Sequence, residues 1–135
     1  MIEIDTNIIV RYLVKDDERQ ALEATQFLDS HNCMVLPTVL LETVWVLSSK
    51  NGYGWAREQV VSRLRHLLGL PAVYTPSPDA IYTALAWYEA GMDFGDALHL
   101  AHSGTQFATF DKPLHDKAKR LQSNKMVILL GEKSH

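Results

Sequence analysis

Five carboxylates lie where the sequence pattern could gather them into one acidic site: Asp5, Glu42, Asp93, Asp96 and Asp111. Asp5 follows the apolar start MIEI, and Asp111 follows the strand-like segment QFATF. Carboxylates gathered closely repel one another unless a counterion is present. Mg²⁺ takes oxygen ligands of this kind together with waters and substrate phosphates. Two such ions about 4 Å apart can activate water and stabilise the leaving oxygen in phosphodiester cleavage.

Three of these acids also have a purely structural explanation. Asp5 could simply end a strand and cap the following helix, because Asp is a common turn and N-cap residue. Asp93 and Asp96 are three residues apart at a helix start, so both carboxylates face the same side. Asp93 could be the N-cap and Asp96 a first-turn acid, both favourable to the helix dipole. The sequence alone leaves both explanations open.

Glu42 lies in TVLLETVWVLSS, a predicted helix that is apolar on nearly every side. Burying a lone acid in such a helix is costly unless a cation or hydrogen bonds compensate it. The alternative is a narrow exposed stripe that Glu42 shares with Thr38 and Thr43. The scarcity of polar surface on this helix favours a functional role for Glu42.

The elements that would position these acids alternate between short apolar runs and segments of helical period. We expect strands at 1–5, 33–37, 71–76, 106–110 and 126–130, and helices at 7–14, 18–30, 38–50, 56–68, 78–90, 93–103 and 112–123. This alternation predicts an α/β fold with a mostly parallel sheet of about five strands, covered on both faces. Ligands bind just beyond the carboxyl ends of such strands. Asp5 and Asp111 are therefore expected at the same edge.

Length and composition predict one globular domain over residues 1–135. The chain is 47% apolar and 21% charged, with a formal net charge of -3 that gives no global reason to bind nucleic acid. A single cysteine, Cys33, excludes an internal disulfide. Glu3 and Asp5 interrupt the apolar residues of the N-terminus, so this segment does not resemble a signal peptide. No apolar run reaches the roughly 18 residues of a membrane span. We therefore expect a cytoplasmic protein with no membrane partner.

Positive charge is concentrated near the C-terminal end of the sequence. Between positions 112 and 125 there are five cations against one acid, Asp116; the cations are Lys112, Lys117, Lys119, Arg120 and Lys125. Such a run is most simply a solvated helix face. Because it directly follows Asp111, Lys112, Lys117, Lys119 and Arg120 are also candidates for binding RNA phosphates.

Four segments resemble the PIN domain, and specifically the stand-alone VapC-like toxin ribonucleases of toxin–antitoxin pairs. The segments are IDTNIIVRYL, LPTVLLETVWVL, GMDFGDALHLA and FATFD, in the family's order and over nearly the whole chain. The resemblance implies a three-layer α/β/α sandwich in a single nuclease domain. It further implies Mg²⁺ or Mn²⁺ as cofactor, RNA as substrate, a homodimer and a small antitoxin partner.

The resemblance also assigns roles to individual residues. It carries the catalytic and metal-ligating acids onto Asp5, Glu42, Asp96 and Asp111, with Asp93 as an accessory acid at the metal site. Thr6, Asn7 and Thr109 match the polar positions that support the site.

Two other classes of protein share some of these sequence features with a nuclease. A receiver-type signalling domain also carries acids at the carboxyl edge of a parallel sheet, but the segment VYTPSPD offers no clear phospho-acceptor aspartate. A non-catalytic PIN-like RNA-binding scaffold is the stronger alternative. Such a scaffold would typically have lost some of the acids, whereas this chain keeps the whole set.

Overall fold

The computed structural model describes residues 1–121 and 123–131. Within them the chain forms seven helices and five strands. The helices are α1 (Thr6–Val14), α2 (Glu18–Ser30), α3 (Pro37–Ser48), α4 (Arg57–Leu68), α5 (Pro78–Glu89), α6 (Phe94–His102) and α7 (Lys112–Arg120). The strands are β1 (Ile2–Glu3), β2 (Cys33–Met34), β3 (Val73–Tyr74), β4 (Gln106–Thr109) and β5 (Met126–Leu129). No helix of these described residues is long and apolar enough to span a membrane.

The order and type of the predicted elements are confirmed, and the differences lie at their ends. The predicted strand 33–37 stops at Met34, and Pro37 begins α3 instead of closing the strand. Proline suits the first helical position, because the N–H it lacks would have no partner there. The last predicted turn of α7 includes residue 122, which lies outside the described residues.

The parallel pairing is also confirmed, but the described strands form two sheets instead of one. β1, β2 and β3 pair in parallel in that order, and β4 pairs in parallel with β5. Each of the first three strands has only two residues in its ladder, because the chain turns into a helix soon after it. The structure therefore confirms an α/β fold with parallel strands and divides the described strands between two sheets.

The first of two compact units runs from Met1 to Pro78. Helix α1 packs against α2, α3 and α4, and the β1–β3 sheet lies in the same unit. Ile9, Leu40 and Leu47 are completely buried in its core. A hydrogen bond of 2.8 Å joins Tyr12 Oη on α1 to His66 Nε2 on α4. The N-terminal helix that begins beside Asp5 is therefore held on several sides.

The second unit begins at Asp79. Helix α7 packs against β4 and β5, whose residues pair in register from Gln106 with Met126 to Thr109 with Leu129. Tyr88 of α5 meets Phe94 of α6 edge-on, with 5.6 Å between ring centroids. These contacts fix the starts of α6 and α7, the two helices that begin beside predicted acids.

Candidate active site

Helix α6 begins at the motif GMDFGD and carries two of the acids. Gly91 has φ of +114°, a conformation that side-chain-bearing residues rarely adopt, and it forms the turn after α5. Asp93 is the N-cap, and its Oδ2 accepts a hydrogen bond from the backbone N–H of Asp96 at 3.0 Å. Capping, one of the two explanations that the sequence left open for Asp93, is therefore present in the structure. Asp96 lies in the first turn and is half-buried, while Asp93 is exposed.

Asp111 lies just after β4 and is the N-cap of α7. Its Oδ1 accepts a hydrogen bond from the backbone N–H of Leu114 at 3.0 Å. The backbone N–H of Asp111 in turn donates to Oγ1 of Thr109 at 3.0 Å. Through this hydrogen bond, the Thr109 side chain fixes the backbone of Asp111.

The carboxylates of Asp93 and Asp111 lie close enough to Asp96 to repel its negative charge. The pKa of Asp96 is raised above its ordinary value, chiefly because partial burial disfavours the charged carboxylate. The carboxylates of Asp93 and Asp111 raise it further, and His99 opposes them. The start of α6 is thus a place where negative charge is crowded and partly shielded from water.

Asp5 and its two neighbours lie in the first unit. Asp5 is exposed and caps α1, since its Oδ1 accepts from the backbone N–H of Ile8 at 3.2 Å. Asn7 is also exposed. Thr6 is only 6% exposed, and its Oγ1 is the one buried side-chain oxygen or nitrogen of the described residues without a hydrogen-bond partner. A buried hydroxyl in this state costs roughly 1–3 kcal/mol, so the position suits a hydrogen-bonding ligand or water.

Glu42 is exposed on α3, so the premise that this acid is buried is wrong. The exposed-stripe alternative is right for Thr38 and Glu42, but Thr43 is completely buried and donates to the carbonyl of Val39 at 2.7 Å. Helix α3 also leaves Trp45 65% exposed. An apolar helix can thus present Glu42 to solvent, because its surface face carries apolar residues too.

The carboxylates suit a hard divalent cation in their chemistry. Each cap hydrogen bond of Asp5, Asp93 and Asp111 engages one carboxylate oxygen, and an ionised carboxylate has two. The structure brings Asp93, Asp96 and Asp111 together in the second unit, while Asp5 and Glu42 belong to the first. Among residues 1–121 and 123–131, no three His, Cys, Asp or Glu side chains form a ready-made metal site.

Comparison with protein families identifies the family to which this chain belongs. The model of the PIN domain family matches residues 2–120, nearly the whole chain. This chain belongs to the PIN domain family. Comparison with curated proteins finds no match.

A PIN domain generally indicates a nuclease, that is, a hydrolase of nucleic acid, and such nucleases usually use divalent metals. The acids described above occupy the segments that the match covers.

The cations of this PIN domain's α7 differ in their surroundings. Lys112 Nζ binds Asp116 Oδ2 at 2.9 Å, and hydrogen bonds from His115 and Lys112 lower the pKa of Asp116. The side chain of Lys117 packs against Gly91, and its Nζ lies 3.1 Å from the position that a Cβ at residue 91 would occupy. Lys119 and Arg120 are exposed and remain candidates for RNA contacts.

Sequence reasoning missed one polar group of the first unit, centred on Arg11. Its Nη1 binds Asp16 Oδ1 at 3.2 Å, and the hydroxyl of Tyr53 donates to Asp16 Oδ2 at 3.0 Å. The available signal was Arg11 itself, the single charged residue in the helix TNIIVRYLV. Its partners are distant in sequence or in a loop, so spacing alone could not identify them.

Proposed function

We propose that this protein is a metal-dependent endoribonuclease that hydrolyses RNA phosphodiester bonds. The observation that carries the proposal is the proximity of Asp93, Asp96 and Asp111 in a PIN domain, where burial and then the two neighbouring carboxylates raise the pKa of Asp96. Helix capping alone accounts for Asp93 and Asp111, but it does not require a third, half-buried acid beside them. A divalent cation would offset the mutual repulsion of these carboxylates.

The proposed ligands are Asp5, Glu42, Asp96 and Asp111, with Asp93 as an accessory acid that also orients the start of α6. The exposed carboxylate of Glu42 is accessible to an ion or to substrate. Thr6 would direct its buried hydroxyl at a water or ligand of the site. Asn7 and Thr109 complete the supporting polar set, Thr109 through its hydrogen bond to the Asp111 backbone.

The metal ion, the capping acids and the cations of α7 would each have a different role. When bound, Mg²⁺ or Mn²⁺ would supply activation of the attacking water and stabilisation of charge at the phosphate. The N-caps hold Asp5, Asp93 and Asp111 at rigid helix starts, so little side-chain entropy is lost on ligand binding. Lys119 and Arg120 would attract the RNA backbone and offset the acidity of the site.

We further propose that the chain acts as a single PIN-like nuclease domain and as the toxin of a toxin–antitoxin pair in the cytoplasm. The VapC-like order of its four motifs supports this assignment. Leu41 and Trp45 of α3 are 42% and 65% exposed, and these apolar side chains would suit the interface of a homodimer. A small antitoxin protein would be the second partner.

The proposal is tested by incubating the purified protein with a mixed-sequence single-stranded RNA. We expect cleavage with Mg²⁺ or Mn²⁺, arrest by EDTA and recovery when Mn²⁺ is added in excess. Equal cleavage with and without EDTA would exclude the metal mechanism. Binding of the RNA without any cleavage would instead identify a non-catalytic RNA-binding scaffold.

A further inference from the structure

A cavity of about 410 Å³ opens between α1 and α2, next to Asp5. Its volume falls within the range of roughly 300–1,000 Å³ that is typical of small-molecule sites. Asp5 and Asn7 line it from the start of α1, and Gln20 and Glu23 line it from α2. All of these residues belong to the first unit.

The charges that line this cavity argue against a phosphate as its occupant. Asp5 and Glu23 are both acidic. The one cation of the lining, Arg11, already shares its charge with Asp16 through the 3.2 Å ion pair. A neutral ligand with hydrogen-bonding edges fits this lining better. The exposed amides of Asn7 and Gln20 offer both donors and acceptors to such a ligand.

Phe27 gives the cavity an aromatic wall. Its ring is half-buried and stacks on His31, with centroids 4.2 Å apart and an interplanar angle of 19°. The imidazole is in turn anchored, since His31 Nδ1 lies 3.1 Å from the carbonyl oxygen of Phe27. A ring held in this way is a pre-organised platform, and RNA bases stack readily on aromatic side chains.

We infer that this cavity is a base-binding subsite, which accepts one unstacked nucleobase of the RNA next to the scissile phosphate. The inference rests on the proposed function, since it takes Asp5 as part of the catalytic site. Phe27 would stack on the base, and the amides of Asn7 and Gln20 would meet its polar edge. The subsite would thereby place the neighbouring phosphate at Asp5.

Glu23 determines which bases the subsite accepts. An ionised carboxylate only accepts hydrogen bonds, so it pairs with the amino group of cytosine, adenine or guanine. Uracil has no amino group, and its single ring donor at this edge, N3–H, is flanked by two carbonyl oxygens that a carboxylate repels. The subsite therefore selects amino-bearing bases over uracil at one position beside the cut.

The first test maps the ends produced when a mixed-sequence single-stranded RNA is cleaved. We expect the parent to discriminate against uridine at one flanking position by about tenfold, the size expected of one good base contact. Glu23→Gln should bring uridine close to the other bases. Phe27→Leu, which keeps an apolar side chain but loses the aromatic face, should slow cleavage at every base. Glu18→Gln, an exposed acid of α2 outside the cavity lining, is the control and should leave the preference unchanged.

The second test needs no catalysis and so separates this inference from the proposed function. Cytidine and uridine 5′-monophosphate share sugar, phosphate and ring size, and are titrated while the methyl signals of Ile8 and Ala24, both in the cavity lining, are followed by NMR. We expect larger shifts with the cytidine nucleotide, and Glu23→Gln should abolish the difference. Equal or absent shifts would overturn the subsite even if the protein cuts RNA. Shifts caused only by an arginine-containing peptide would overturn it in favour of a protein partner. A parent that shows the expected shifts without cutting RNA would retain the subsite and reject the nuclease.

Discussion

Asp96 has an environment that penalises its charge. Burial and the carboxylates of Asp93 and Asp111 raise its pKa in the folded protein. Between the unfolded and the folded pKa, the folded state binds more protons, so stability falls as pH rises through this window. The penalty is absent below the unfolded pKa and complete above the folded one. The metal-free protein therefore carries the full penalty once the pH exceeds the folded pKa of Asp96.

Asp96→Asn should remove that penalty while keeping the shape of the side chain. We expect the metal-free variant to melt at the same or a higher temperature than the parent at neutral pH. Mg²⁺ at a hundredfold excess over Kd should stabilise the parent by about 2.7 kcal/mol and the variant by much less. If Asp96 only supported the helix start, the variant would instead lose roughly 0.5–1 kcal/mol and respond to Mg²⁺ as the parent does. Thermal melts with and without Mg²⁺ distinguish the two.

Asp116→Asn is the matched control for this comparison. Its pKa is lowered by hydrogen bonds from His115 and Lys112, so its ionised form stabilises the fold. That contribution is present above the unfolded pKa and is lost as pH falls through the folded one. The control should therefore not raise the melting temperature, and its response to Mg²⁺ should equal the parent's.

Thr6 provides an independent test of the site by a single substitution. Replacing it with Val removes the buried hydroxyl that has no partner, so Thr6→Val should raise the free energy of unfolding without metal by about 1 kcal/mol. The same change at Thr43 removes a hydroxyl bound to Val39 and should cost about 0.5–1.5 kcal/mol. RNA cleavage should fall in Thr6→Val and persist in Thr43→Val. A loss of stability in Thr6→Val, measured by denaturant unfolding, would contradict a role for its hydroxyl in binding a ligand.

Helices and their caps are the elements that the sequence predicted best. The bounds of α2 match the prediction from Glu18 to Ser30, and Asp5 and Asp93 are caps as the pattern allowed. These features depend on local chemistry within one helical turn, which the sequence contains directly. The exposure of Glu42 could not be predicted, because it depends on which face of an almost uniformly apolar helix the rest of the fold covers.

Helix α7 is the element on which RNA attraction can be tested. Changing the exposed Lys119 and Arg120 to Gln should weaken RNA binding and flatten its dependence on salt, by about 0.7 in log–log slope per lost phosphate contact. Binding is measured in EDTA so that the RNA stays intact. The control changes the exposed Arg63 and Arg65 of α4 to Gln and removes the same charge. Equal slopes for the two variants would assign the α7 cations to a solvated surface.

For the whole molecule, the sequence predicted the α/β class and the PIN family from the order of its motifs. It predicted one sheet where the described strands form two, because pairing between distant strands depends on contacts that a local pattern does not contain. The cavity between α1 and α2 was missed for the same reason. Asp5 and Phe27 are 22 positions apart in the sequence, and they line one cavity only because α1 and α2 pack together.

We propose that the carboxylates of this PIN domain cleave RNA with a divalent metal. The most direct test of this proposal is the rate of single-stranded RNA cleavage in Mg²⁺ by the parent, Asp96→Asn and Asp116→Asn, all shown to be folded by their melts. We expect cleavage by the parent and Asp116→Asn, cleavage reduced by at least about a hundredfold in Asp96→Asn as when a catalytic group is lost, and none by any of them in EDTA. Equal cleavage by Asp96→Asn and the parent would exclude Asp96 and its neighbouring carboxylates as the catalytic site.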